Sequence, residues 1–466
     1  MGEVMNGILL GVLVYLAVQF AVAIVVSRRI RSETDYILGG RQIGVSLAAF
    51  SVFATWFGAE TVLGSAGRVY GDGLSGAQGE PFAYAVSIIL MGLLFAARLW
   101  RRGLVTFGDM FRDRFSPGVE RLTVILLVPG SVLWAAAQIR GFGQIMGVTT
   151  GVDLTTGIAL AAAVVILYTV VGGLLADVYS DFVQGIFIVI GLAVMLAAVL
   201  FQAGGPVQAL AGIEAARFAP IKEGQSLLDF LEQWAIPICG SLVAVELISR
   251  VLACKSADVA RTATWLGGVG YLLVALIPVY LGLVGPQLVP GLTEAEQIVP
   301  ALAQQYLPPL LYVMFAGALI SAILSTVDSA LLASASLVSH NIVLRLKPGI
   351  GESGKVALAR GGVAVLGLVA FVLALQSEGI SDLVELASAF ATAGIFVAFA
   401  FGLFTGWGGA ASAYAAIVAG AVVWAGGKYL LELQAPYVTG VLAAVAAYAA
   451  VAVAARLASA ESRSQA

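Results

Sequence analysis

The sequence predicts an all-α polytopic membrane protein of about 13 transmembrane helices, two of them discontinuous. Three observations carry that expectation. Of the 466 residues 60% are hydrophobic and only 11% charged, with a mean hydropathy of +1.00, far from the makeup of soluble domains. Apolar segments of about 20 residues, the length that crosses a hydrocarbon core at 1.5 Å per residue, recur from end to end. The short alternating pattern of a transmembrane barrel is absent.

In chain order the spans fall near 5–27, 46–68, 76–98, 120–147, 155–173, 179–202, 230–251, 262–286, 309–341, 357–376, 381–404, 409–427 and 435–456. No soluble domain of useful size lies outside them. The first is read as an uncleaved helix, because MGEVMNG carries no positive charge, the apolar run is long, and Arg28 and Arg29 follow it. The second, SLAAFSVFATWFGAETVLGSAG, holds Gly58, Gly64 and the acid Glu60 at mid-membrane depth. The seventh, EQWAIPICGSLVAVELISRVL, holds Pro237, Gly240 and Glu246. Proline removes a backbone hydrogen bond and glycine eases departure from helical geometry. Irregular backbone at depth persists where it lines a cavity or packs on protein, so both spans are expected to be broken.

Charge placement gives the orientation. With the N-terminus outside and the C-terminus cytoplasmic, 19 Lys and Arg fall on the inner side, Arg250 among them, against 4 outside, with Arg140 within a span. The positive-inside rule favours that arrangement in a plasma (inner) membrane. Cys239 and Cys254 form no CxxC pair and read as structural thiols, and His340, the only histidine, reads as a surface or capping group. Too few His and Cys remain for a catalytic metal, and no phosphate-binding loop or catalytic motif is present. No enzymatic activity, organic cofactor or nucleic-acid partner is therefore expected.

The ninth span supplies the strongest chemical signal. In AGALISAILSTVDSALLASASLVSHNIV, Ser325, Asp328 and Ser329 share a helix face and Thr326 lies beside it. One Asp at the bilayer centre costs roughly 2.5–3.5 kcal/mol, and a small hard cation is the natural partner for clustered oxygens. This patch reads as an ion site inside the membrane.

The ordered blocks YILGGRQIG, ATWFGAETVLGSAG, YTVVGGLLADVYSDFVQG and ISAILSTVDSALLASAS resemble the sodium/solute symporter family. That resemblance implies a LeuT-like core of two inverted five-helix repeats. It divides the chain into an N-terminal extra span and loop (1–45), a first repeat (46–205), a second repeat (206–405) and two C-terminal spans with a short tail (406–466). It also implies Na+ as coupling ion and a small-molecule substrate. The main sodium site falls on Ala54, Phe57, Ala322, Ser325 and Thr326, and a second ion site on Asp181, Ser325, Asp328 and Ser329. Asp181 is expected close to the inner interface, and Asp328 stands where several members have Ser.

Within the family the likeness is nearest to the high-affinity choline transporter branch, through ATWFG, WAAAQIRGFG, SRVLACKS and YGDGLSGAQGEPFAY. It places Trp56, Tyr84 and Trp134 at substrate-facing aromatic positions, aromatic faces being the physical device for a quaternary ammonium. A fourth aromatic of that branch is replaced by Ala244, and Glu60 and Glu246 supply charge for an amine instead. The expected activity is sodium-coupled symport by alternating access of a quaternary ammonium or amine such as choline. Uptake of an amino acid such as proline or of a small carboxylate stays open, as do a passive channel and a non-transporting sensor. The oligomeric state is open as well.

Overall fold

The computed structural model describes residues 17–464 apart from 18, 19, 22, 23, 29 and 378. Among these the chain is helical throughout, with no strand and an isolated bridge between Ile43 and Cys254. By length and apolarity eight helices qualify to cross a bilayer: Glu60–Arg101, Pro117–Gly147, Leu154–Gln202, Ala257–Leu288, Pro309–Leu346, Glu352–Gln376, Ala410–Tyr429 and Pro436–Ser459. Two bent pairs raise this to ten: Leu227–Leu242 with Val245–Ala253 (42°) and Leu383–Ala389 with Thr392–Phe404 (41°).

The architecture is the polytopic helical one expected, but that criterion does not return thirteen spans, for three physical reasons. The expected span 5–27 lies largely outside the described residues. Spans 155–173 and 179–202 are joined in one helix, bent where Gly173 adopts φ 64°. Val45–Trp56 is too short to cross alone, and the chain restarting at Glu60 runs through a turn at Gly73 as far as Arg101.

Both broken spans are present, one of them displaced. After Trp56 the helix opens at Phe57 (φ −89°, ψ 63°) and resumes near Glu60. A Cβ on Gly58 would press on the Gln138 amide oxygen, the Glu60 carboxylate (2.8 Å) and Thr326 Oγ1 (2.9 Å), so a larger residue there would have to displace these site side chains. In the other span the break falls at Val243 and Ala244, after the expected Pro237 and Gly240. Gly240 serves close packing instead: a Cβ there would stand 2.5 Å from the Ser388 carbonyl oxygen. Pro237 is accommodated within the Leu227–Leu242 helix.

The Leu154–Gln202 and Pro309–Leu337 helices lie against each other, and Val45–Trp56 packs on both Leu154–Gln202 and Ala257–Leu288. Small residues permit this closeness, as where Gly185 meets Phe50 and Phe53 and Gly191 meets Ala318. Ile125, Leu167, Leu273 and Val422 point outward, a disposition that costs nothing against lipid tails.

The two ends differ. At the Arg-rich end a polar network closes the bundle. Asn341 donates to Asp109 at 3.0 Å and to Glu120 at 2.8 Å, and Arg345 pairs with Asp109 at 3.1 Å. His340 is no surface cap: its ring lies between Glu33 (2.8 Å) and Asp109 (3.4 Å), drawn in by two carboxylates. Burial pushes the Asp109 carboxyl up, but His340 and the backbone N–H groups of Thr106 and Val105 outweigh it and hold it at about 2. The opposite end holds a vestibule of about 480 Å³, walled by Arg68, Asp72, Lys222, Gln233 and Pro237, with Tyr84 among its lining.

Candidate ion and solute sites

The last carbonyls of a helix have no partner within it, and the break after Trp56 leaves such groups deep in the protein. Thr326 Oγ1 reaches the Ala54 carbonyl at 3.4 Å and the Ala322 carbonyl at 3.3 Å. Ser325, one residue earlier, donates to Asp181 Oδ1 at 2.5 Å. Ala54, Phe57, Ala322, Ser325 and Thr326 are all buried, and Phe57 sits in the break itself. The structure thus brings Ala54, Ala322 and Thr326 into contact around neutral oxygens, with Ser325 and Phe57 alongside.

The second set is close by and differently made. Asp177, Asp181 and Asp328 present carboxylate oxygens within 4.8 Å of one another. Asp181 is fully buried rather than close to a solvated interface, because the Leu154–Gln202 helix turns that face into the bundle. Its oxygens accept from Ser51 and Ser325, each at 2.5 Å. Ser329 donates to the Ser325 carbonyl at 2.7 Å and touches Asp177 at 3.3 Å, while Asp328 Oδ1 accepts the Ser329 N–H at 2.9 Å. Among them lies a group the sequence reading placed at the inner surface: Arg250, 1% exposed, pairs with Asp177 at 2.6 Å and Asp181 at 3.4 Å.

The aromatic residues also converge. Trp56 and Trp134 meet edge to face with centroids 5.0 Å apart, and Tyr84 lies 6.5 Å from Trp134. The Tyr84 hydroxyl is bonded to Ser388 at 2.6 Å, which sets the ring between the vestibule and the pair of indoles. A small cavity of about 30 Å³ lies against Trp134, Ser131, Ala244, Glu246 and Ser388. Ala244, where the resemblance expects a further ring, lines that cavity.

Glu60 is held by the Gln138 amide, whose oxygen accepts the Ala59 N–H at 2.7 Å. Glu60 Oε1 and Glu246 Oε1 have no hydrogen-bond partner among the described residues. A third buried acid, Glu80, accepts from Thr61 at 2.6 Å and from Tyr271. Sequence reasoning missed Glu80, at the start of the expected span 76–98, and missed Asp177, although ADVYSD sets it one turn from Asp181.

Broken helices and convergent buried polar groups in a lipid-facing bundle define a multi-pass membrane protein with a polar centre. The chain belongs to the sodium:solute symporter family, whose profile matches residues 36–420. It is 28% identical to the high-affinity choline transporter 1 of Caenorhabditis elegans, over 77% of this chain and 66% of that protein. The human counterpart is 30% identical, over 77% and 64%. The chain therefore spans about two thirds of the length of these choline transporters. The sodium/pantothenate symporter of Haemophilus influenzae is 25% identical over 92% of this chain and 90% of its own. A solved Na+-coupled sialic acid symporter in a substrate-bound outward-open state superposes with a TM-score of 0.85 at 17% identity, covering 97% and 98% of the two chains. A nucleobase-cation-symport-1 family transporter gives 0.63 at 17% identity, covering 90% and 94%. The fold is that of these symporters.

Proposed function

We propose that this protein carries a small organic cation, choline or a similar amine, inward through the membrane together with sodium. The single observation that carries the substrate class is the meeting of Trp56, Trp134 and Tyr84 beside buried Glu60 and Glu246. Aromatic faces attract a cation that donates no hydrogen bond, and the partnerless carboxylate oxygens favour positive charge over negative. The likeness to choline transporters supports the same class. A carboxylate such as pantothenate is the second reading, favoured by the longer match to its symporter. Three buried acids near the aromatic pair oppose it.

In this mechanism sodium enters from the vestibule side and is held by the Ala54, Phe57 and Ala322 carbonyls with the Ser325 and Thr326 hydroxyls. That ties the broken helix to the Pro309–Leu337 helix and organises the aromatic site. Tyr84 then closes over the solute, the four-helix bundle rocks against its scaffold, and the polar network around Asp109 and Arg345 opens to release both. The Arg-rich distribution of charge favours a cytoplasmic C-terminus and a vestibule outside a plasma membrane. One sodium and one monovalent cation each gain about 2.3 kcal/mol per 100 mV on moving inward. Together that is about 4.6 kcal/mol, more than a thousandfold accumulation at about 1.4 kcal/mol per decade.

Purified protein in liposomes tests this. An inward sodium gradient is expected to drive accumulation of radiolabelled choline or a small amine above equilibrium, and replacing sodium with potassium to abolish it. Uptake insensitive to that replacement would indicate a channel. Sodium-driven uptake of pantothenate or proline but of no cation would overturn the substrate class.

A further inference from the structure

The acid cluster marked out for a second ion already holds a cation of the chain's own. Asp177, Asp181 and Asp328 are 2%, 0% and 1% exposed, too deep for water to neutralise them. Arg250 enters this cluster from Val245–Ala253, the second half of the bent pair. Its Nη2 donates to Asp177 Oδ2 at 2.6 Å, to Asp181 Oδ2 at 3.4 Å and to Ser329 Oγ, and its Nε donates to Ser51 Oγ at 3.2 Å. One guanidinium thus links four helices. A guanidinium stays charged in any protein environment, and a buried carboxylate cluster requires such compensation.

Two of the residues that a second sodium would use are committed to this group. Of the four residues assigned to that ion, Asp181 and Ser329 touch Arg250 directly, and Ser325 donates a hydrogen bond to Asp181. Two monovalent cations within a few ångströms in a medium of low dielectric repel strongly. We propose that Arg250 is a tethered cation standing in for a second sodium, so that one sodium, at Thr326, accompanies each solute. The inference rests on the sodium-coupled reading above and deepens it by fixing the stoichiometry. Asp328 Oδ2, which has no hydrogen-bond partner among the described residues, marks where a free cation would settle were the guanidinium removed.

Counting sodium on the purified protein tests this without transport. Equilibrium binding of radioactive sodium is expected to saturate at one ion per chain in the wild type and in Arg250→Lys, which keeps the charge. Arg250→Gln is expected to bind two, with a Hill coefficient rising from about one towards two. Its thermal midpoint should also become far more sodium-dependent than that of the wild type, since the ligand then supplies the missing charge. Two ions on the wild type would overturn the tethered-cation role and leave sodium coupling intact, as would a folded Arg250→Gln that binds only one. No bound sodium on any variant would instead overturn the coupling on which the inference rests. If Arg250→Gln does not fold even in high sodium, the wild-type count alone decides.

Discussion

Two oxygen clusters sit within a turn of each other on the Pro309–Leu337 helix, and they solve opposite problems. Around Thr326 the oxygens are neutral: one hydroxyl and the Ala54 and Ala322 carbonyls, in loose contact at 3.3–3.4 Å. Around Asp181 they are carboxylates drawn tight by serines and a guanidinium. The neutral set can gain or lose an ion at small cost to the fold, because nothing charged is left behind. The acidic set cannot, and the chain gives it a permanent counter-charge. On the proposed reading, reversible ion binding at Thr326 and structural pairing at Asp181 adjoin each other, and Ser325 belongs to both.

The sharpest way to break this comparison is to remove a charge from the acidic cluster. Asp177→Asn takes away the best partner of Arg250 and is expected to lower stability by about 3 kcal/mol, the usual cost of orphaning half of a buried pair. A fall of several degrees in the thermal midpoint in detergent would show it, with sodium affording little rescue while Arg250 remains. A midpoint unchanged by this substitution would mean that the pair is not structural.

Thr326→Ala probes the other side. Its long hydrogen bonds leave little stability to lose, so the stability without sodium should stay within about 1 kcal/mol of the wild type. Sodium loses a hydroxyl ligand, and a hydrogen-bond-strength interaction with a charged group contributes about 1.5–3 kcal/mol. The sodium concentration for half-maximal uptake should therefore rise about tenfold to a hundredfold at 1.4 kcal/mol per decade. Equal sodium dependence in the two proteins would place the ion elsewhere.

The asymmetry explains how much could be read from sequence. Hydropathy fixed the class, and Ser325, Thr326, Asp328 and Ser329 announced themselves as polar groups on an apolar helix. Ordered motifs then placed Ala54 and Asp181 opposite them. Arg250 was concealed because basic residues at span ends are ordinary, and its span breaks at Val243 and Ala244 rather than at Pro237, a difference of tertiary packing. Glu80 was hidden for a related reason, since its partner Tyr271 comes from a distant part of the chain and Thr61 from the neighbouring broken span. Long-range pairing leaves no periodicity to read.

The smallest expected effect concerns a cation that neither oxygen cluster suits. A quaternary ammonium offers no proton to a carbonyl and is too large for either set, so under the proposed function its recognition falls to Trp56 and Trp134. Trp56 is 1% exposed, and any replacement also loses packing, so two substitutions are compared. Trp56→Phe keeps an aromatic face against Trp134, whereas Trp56→Leu keeps only bulk. A cation–π contact contributes about 0.5–2 kcal/mol, so the leucine variant should bind choline about twofold to thirtyfold more weakly than the phenylalanine variant. Sodium affinity measured without solute should be alike in the two, because the Ala54 carbonyl belongs to backbone that neither change removes. Equal choline affinity in both variants would show that the aromatic pair is packing, and would hand recognition of the solute to Glu60 and Glu246 alone.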